Sequence, residues 1–423
     1  MGELKKDIKE GITLHIIPTK NFKTNLLAVF LTVPLERKNV TLDTLLTLVL
    51  RRGSKSMPTQ EEISKKLEEM YGASFDCGIE KTGDNHVLKF YLESLNDEYL
   101  PQKQDLLKES INTLFSIIWN PFTENGTFKR DYVEAEKQNL KQIIEGKIDN
   151  KAVYALERCI EEMYQDKPYG LYKYGYIEDL EKINEKNLYD YYQTFMEHTK
   201  IDIFLSGNID ESAEEEIKNS EEIQKLKERK AKFVVNNEET EKKEKVEVKE
   251  VEEKMDIAQG KLVMGLAIHD NTPESRYPAL VYNAILGGTA NSKLFQNVRE
   301  KASLAYTASS AYVRQKNNVF IRCGIEVENY KKAIDIINKQ LEDMKSGNFS
   351  EEDMKNAKNF IEEMIEGITD EQDTEISYYL GQELSGHTMN FNQYKEAVDK
   401  VKKEDVVNLA NQITTEMIYF LRN

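Results

Sequence analysis

Metal and nucleophile chemistry both need reactive side chains at short, regular spacing, and the chain offers few candidates. Its histidines are His15, His86, His198, His269 and His387, scattered over 423 residues. No two stand at the i, i+4 spacing that puts two imidazoles on one helical face, so none forms a local zinc clamp. His15 sits inside an apolar strand and His86 where a turn becomes a strand, positions that predict structural roles. His198 follows a helical stretch and His269 ends a strand. No G-x-S-x-G supplies a serine nucleophile and no GxxxxGK[ST] cradles a phosphate. "LGGTANSKLF" (286–295) carries glycines without P-loop order and reads as a turn between helices. Cys77, Cys159 and Cys323 are far apart and form no CxxC. They predict small core residues, not a disulfide framework or a thiolate metal site.

The most specific stretch is "LFQNVREKASLAYTASSAYV", which holds Arg299 and Tyr306 seven positions apart. Residue types and spacing alone leave two readings: a functional pair across the turn, or Arg299 pairing with a nearby glutamate on a helix while Tyr306 packs in the core.

The elements that must position these residues follow from pattern. "GITLHIIPTK" and "NLLAVFLTV" read as strands joined by a polar turn, and "ASFDCGIEKTGDNHVLKFYLESL" as strand, turn, strand. Helical periodicity runs from Leu42 to Arg52 and through "TQEEISKKLEEMYG", with Gly53 and Gly72 as stops. A long helix, "YLPQKQDLLKESINTLFSIIWNP", and a helical stretch from Asp131 to about Tyr164 follow. "KIDIFLSGNID" closes this half as a strand. Residues 211–253 are rich in charge and poor in large apolar side chains, and read as a linker with one helix and a polar extended segment. The strand "GKLVMGLAI" comes next.

The second half repeats the first. Set without gaps against 347–370, residues 126–149 match at Gly126, Phe128, Lys137, Ile144, Glu145, Gly146 and Asp149, opposite Gly347, Phe349, Lys358, Ile365, Glu366, Gly367 and Asp370. Element order agrees on both flanks. The expectation is an α+β protein of two homologous tandem domains, each a mainly antiparallel sheet covered by helices: 1–210, a charged linker 211–253, and 254–423.

Composition narrows the partners. A net charge of −17 argues against nucleic acid, which needs clustered Lys and Arg. It suits a solvated acidic surface or, more sharply, an acidic cavity that favours basic peptides. The N-terminus has no apolar signal core and no run reaches the length of a membrane span, so a cytoplasmic protein is expected.

The 286–306 stretch, "LGGTANSKLFQNVREKASLAY", resembles the second-domain signature of the pitrilysin/insulinase family of metallopeptidases. "DKPYG…GYIEDLEKINEKNLYDYYQTF" resembles the family's first-domain stretch after the metal site. The resemblance covers nearly the whole chain and implies the metallopeptidase-like LuxS/MPP type of fold, with two chains forming a four-domain chamber. Active members carry an inverted zinc motif, H-x-x-E-H, before a glycine. With that glycine set on Gly53, the motif falls on Thr44, Thr47 and Leu48, and the third ligand, a glutamate, on Ile143. Zinc hydrolysis needs two imidazoles and a carboxylate base. Threonine and leucine supply neither, so the resemblance implies no intrinsic metallopeptidase activity, no bound cofactor, and a packed core where the metal would sit. Arg299 and Tyr306 are retained. In the family they hold the substrate backbone near the scissile carbonyl, as donors to a developing oxyanion. The implied function is a non-catalytic, peptide-binding subunit of a heterodimeric zinc peptidase, completing the site of an H-x-x-E-H-containing homologous subunit that alone holds zinc. The alternatives are a structural or scaffold subunit, and a homodimeric peptide-binding protein without protease activity.

Overall fold

A computed structural model describes residues 2–102, 104–209, 212–235, 247–270, 272–387 and 389–423. They fall into two compact units, each built on one sheet.

In the first unit the strand order is Leu4–Lys9, Ile12–Pro18, Lys200–Gly207, Thr24–Pro34, Asn85–Leu95, Ser74–Thr82. Ile12–Pro18 and Lys200–Gly207 run parallel and the other pairs antiparallel. The strands 12–18 and 24–34 are therefore not neighbours, because 200–207 inserts between them. In the second unit the order is Ala305–Val313, Asn318–Ile325, Gly260–Ile268, Ile413–Arg422, Lys249–Lys254. Here too one pair is parallel, Lys249–Lys254 with Ile413–Arg422, and it occupies the matching place. Same order, same senses and same parallel pair make the two sheets copies; the first adds only strand 4–9 at its edge.

The sequence repeat has physical content. Gly126 and Gly347 both adopt left-handed backbone, at φ +80° and +73°, where a side chain is strained. Phe128 and Phe349 are both buried. Lys137 donates to the Ile183 carbonyl at 2.9 Å, and Lys358 to that of Asp399 at 2.6 Å. The matched lysines thus tie matched helices, Arg130–Glu145 and Glu351–Gly367, to corresponding points of the chain.

Two segments trade units. Residues 147–170, with helix Lys151–Met163, belong to the second unit, and 370–384, from helix Gln372–Ser385, to the first. These are the same stretch in the two repeats. The exchange explains the apolar run "GKLVMGLAI". Leu262, Met264 and Leu266 enter one core. Val263, from the opposite face of the strand, joins Ala155, Cys159, Ile160, Met417, Tyr419 and Leu421 in another. Gly265 allows close approach there, since a Cβ would lie 2.6 Å from Met163 Sδ. On the first sheet, Gln372 plays the anchoring part. Its amide donates to the Ser206 carbonyl at 2.9 Å and accepts from Thr24 at 3.1 Å.

The stretch read as a linker is folded at both ends. Ser212–Asn219 and Glu221–Lys225 are helices whose Ala213, Ile217 and Ile223 enter the first core, and Lys249–Lys254 is a sheet strand. Few apolar residues were needed, each placed on the one buried side of a short helix. Residues 211 and 236–246 of that stretch lie outside the described residues.

The helix expected from Tyr99 starts at Leu106, capped by Asp105 accepting from the Lys108 amide. The stretch from Asp131 to Tyr164 is two helices that break at Gly146. All three thiols are free, Cys159 and Cys323 buried and Cys77 half-buried, and burial pushes each up to about 12.

His15 is the centre of a buried polar cluster in the first unit. Its Nδ1 lies 2.5 Å from Glu3 Oε1, its Nε2 3.1 Å from Asp202 Oδ1, and its ring stacks on Phe204 at 4.1 Å. Lys200 pairs with Asp202 and, at 3.2 Å, with Glu383. Burial opposes charge on His15, but the hydrogen bonds to Asp202 and Glu3 outweigh it and raise its pKa above 6.5. A raised folded pKa means stability that is full below about pH 6.5 and lost as pH climbs through the folded value. Melting curves across that window should show wild type losing more stability than His15→Asn. Parallel curves for the two proteins would show that this proton does not contribute.

Candidate functional site

Helix Val40–Leu50 is where a metal motif would lie. Thr44 and Thr47 are buried, and their hydroxyls are spent on backbone. Thr44 Oγ1 lies 3.0 Å from the Val40 carbonyl and 3.1 Å from that of Lys173; Thr47 Oγ1 donates to the Asp43 carbonyl at 3.0 Å. Leu48 is half-buried against the core. Ile143, on helix Arg130–Glu145, is 39% exposed. The expectation of a packed core across all four positions therefore fails at Ile143. That residue stands in the last turn before Gly146, where its neighbour Ile144 is the one packed against the core. The position is an apolar surface, not a filled interior.

None of these residues fits zinc. Two hydroxyls already bound to carbonyls and two hydrocarbons are no ligand set. Among the described residues no group of three or more His, Cys, Asp and Glu is placed to hold a metal ion.

Polar cross-links run through the same helix. Asp43, fully buried, takes His86 Nδ1 at 2.9 Å on one oxygen and the Tyr191 hydroxyl on the other. His86 Nε2 donates to the Lys173 carbonyl at 2.9 Å. Both ring nitrogens therefore face acceptors. Burial first, then the charge of Asp43, push the Tyr191 hydroxyl far above its ordinary range. The helix is thus tied to strand Asn85–Leu95, to helix Glu185–His198 and to the 171–176 loop. The available signal was Asp43 itself, an isolated carboxylate in "VTLDTLLTLVL". Past the other end of the helix, Arg52 holds the buried Glu136 at 3.0 Å.

His15 and His86 are structural, as their positions predicted. His198 ends its helix, and His269 follows strand Gly260–Ile268 and meets Thr414 at 2.7 Å. Histidines 15 and 86 lie in the first unit and 269 and 387 in the second.

Arg299 and Tyr306 lie in the second unit at a helix-to-strand junction. Phe295–Lys301 is a π-helical turn, the form often found at functional positions. Ser303 takes left-handed backbone at φ +52°, and the Leu304 amide closes the turn on the Val298 carbonyl at 3.1 Å. Val298 is buried while the Arg299 side chain is 44% exposed, its guanidinium 4.6 Å from the Phe295 ring centroid. Glu300 is only a loose partner, at 3.7 Å. Tyr306, first but one in strand Ala305–Val313, is 66% exposed. The core reading of Tyr306 is therefore overturned. The bend turns its side chain out of the sheet interior, while Leu304 and Ala305 fill the core beneath it.

Comparison with known proteins gives the family. Residues 182–361 match the Peptidase M16 inactive domain. The chain is 35% identical over 414 residues to a Bacillus subtilis protein named "probable inactive metalloprotease YmfF", spanning 97% of this chain and 96% of that one. A second B. subtilis protein, the uncharacterized zinc protease YmxG, is 23% identical over 75% of this chain and 76% of its own. A crystal structure of a conserved protein from Enterococcus faecalis superposes with a TM-score of 0.88 at 26% identity, covering 100% of this chain and 99% of that one. A peptidase M16 inactive domain from Pseudomonas fluorescens shares the fold, with a TM-score of 0.80 at 16% identity and 100% and 98% coverage. The chain belongs to the pitrilysin/insulinase (M16) family of metallopeptidases, among its inactive, non-catalytic members.

Proposed function

We propose that this protein is the non-catalytic, peptide-binding subunit of a heterodimeric zinc peptidase. Its partner is an H-x-x-E-H-bearing homologue, of the kind that relatives named as zinc proteases represent. Zinc and the catalytic base come from the partner; Arg299 and Tyr306 of this chain reach the substrate carbonyl there. The supporting observation is that Tyr306 is exposed and Arg299 half-exposed, beside a junction in which Val298, Leu304 and Ala305 are buried. A guanidinium and a phenol fixed before the reaction stabilise developing negative charge without reorganisation.

The test is co-expression with the H-x-x-E-H homologue from the same genome. A stable complex should co-purify, with zinc in the partner, and should cleave peptides that neither chain cleaves alone. Stoichiometric zinc or peptidase activity in this chain by itself would refute the assignment. A complex whose partner is equally active alone would point to a scaffold role.

A further inference from the structure

The second unit contains a cationic cluster that neither the fold nor the proposed pairing uses. Arg276 opens helix Arg276–Asn283 and is 92% buried, at 8% relative exposure. Its Nε donates to the Pro273 carbonyl at 2.5 Å. Arg314, in the turn between strands 305–313 and 318–325, donates to Ser385 Oγ at 3.2 Å. Tyr277, the neighbour of Arg276 in sequence, donates to Met389 Sδ, four residues past Ser385. His387 lies between these two anchor points, and its Nε2 is buried with no hydrogen-bond partner. Among the described residues neither guanidinium has a carboxylate within ion-pair distance, whereas Arg37, Arg52, Arg158 and Arg422 all do.

Such an arrangement is costly when empty. An uncompensated buried charge destabilises a fold, and two like charges compound it. Burial and then Arg314 both push Arg276 below its usual range; burial, Arg276 and Arg314 push His387 down, against Glu274. The two guanidiniums are thus within electrostatic reach of each other, and His387 of both and of Glu274. Guanidinium groups match oxyanions in shape and charge. A planar carboxylate is satisfied by one arginine fork. Two arginines and an unpaired imidazole nitrogen, coming from three different elements, suit a tetrahedral dianion.

We propose that Arg276, Arg314 and His387 form a binding site for a phosphate-class oxyanion. The site is independent of the Arg299–Tyr306 junction and of the peptidase partner, so either idea can fail without the other.

The experiment uses the full chain in buffer free of phosphate and sulfate, titrated with inorganic phosphate at constant ionic strength. Acetate and chloride are the controls. Calorimetry should show saturable one-to-one phosphate binding, and melting temperature should rise with phosphate but not with acetate. Loss of one charge-assisted donor weakens such binding by about tenfold to a hundredfold, so Arg276→Gln and Arg314→Gln should each show that loss. Arg314 is only half-buried, so its variant keeps the test open if Arg276→Gln does not fold. Without phosphate, Arg314→Gln should melt no lower than wild type, because it removes repulsion. Absence of saturable binding, equal binding of acetate, unchanged affinity in Arg314→Gln, or its destabilisation without phosphate would each overturn the proposal.

Discussion

Replacing Arg299 with alanine, or Tyr306 with phenylalanine, is expected to cut turnover by the reconstituted pair roughly a hundredfold, equivalent to about 3 kcal/mol of transition-state stabilisation. Melting temperature should stay where it was. Tyr306 is largely in solvent, Arg299 is half-exposed, and neither completes a core, so truncation leaves no buried group unpaired. Donors that act on the developing oxyanion favour the transition state over the bound substrate, so the loss should fall on kcat more than on KM. Single-turnover rates and melting curves on the same preparations separate this from a structural role. Normal turnover with a catalytic partner present would remove these residues from the mechanism and leave the scaffold reading.

Asp43→Ala should have the largest effect on stability of any substitution near the degenerate metal positions. It removes the carboxylate that serves both His86 and Tyr191 in the buried interior. Deleting it leaves a buried imidazole nitrogen and a buried phenol hydroxyl without their partner, at about 1–3 kcal/mol each. The first thermal transition should fall accordingly. Thr44→Val and Thr47→Val give the contrast. Each deletes one hydroxyl that bonds helix or loop carbonyls, worth about 1 kcal/mol. A similar small effect from Asp43→Ala would show that the cluster does not brace the helix.

The contrast also shows which parts of the protein can be read from its sequence. Duplication was legible because it rests on local needs that recur: a left-handed glycine, a phenylalanine behind it, a lysine that reaches a carbonyl. The side chains of Thr44, Thr47 and Leu48, where the family resemblance sets the zinc motif, could be read off directly, and ligand chemistry tolerates no such substitutes. What could not be read is non-local. Nothing in "KAVYALERCIEEM" says that its apolar face covers the sheet of the other repeat. The 211–253 segment looked like a linker because its composition averages away Ala213, Ile217 and Ile223, which need only share one side of two short helices. Ile143 and Tyr306 were misjudged for one reason. Pattern gives the face a residue takes, but not whether anything covers that face. Arg276, Arg314 and His387 carried no signal at all, since they come from three separate places in the chain.

The traded helices also bear on how the protein arose. A single repeat, alone, would have its 151–163 or 372–385 counterpart with no sheet of its own to cover. The two repeats give their helices to each other in matching fashion. The economical ancestor is therefore a short chain that existed as a pair, each copy lending its helix to its twin as in domain swapping. Joining two such genes end to end would turn that loan between molecules into one within a molecule. On this account the present chain is a fossil homodimer, and association between copies is older than the chain itself.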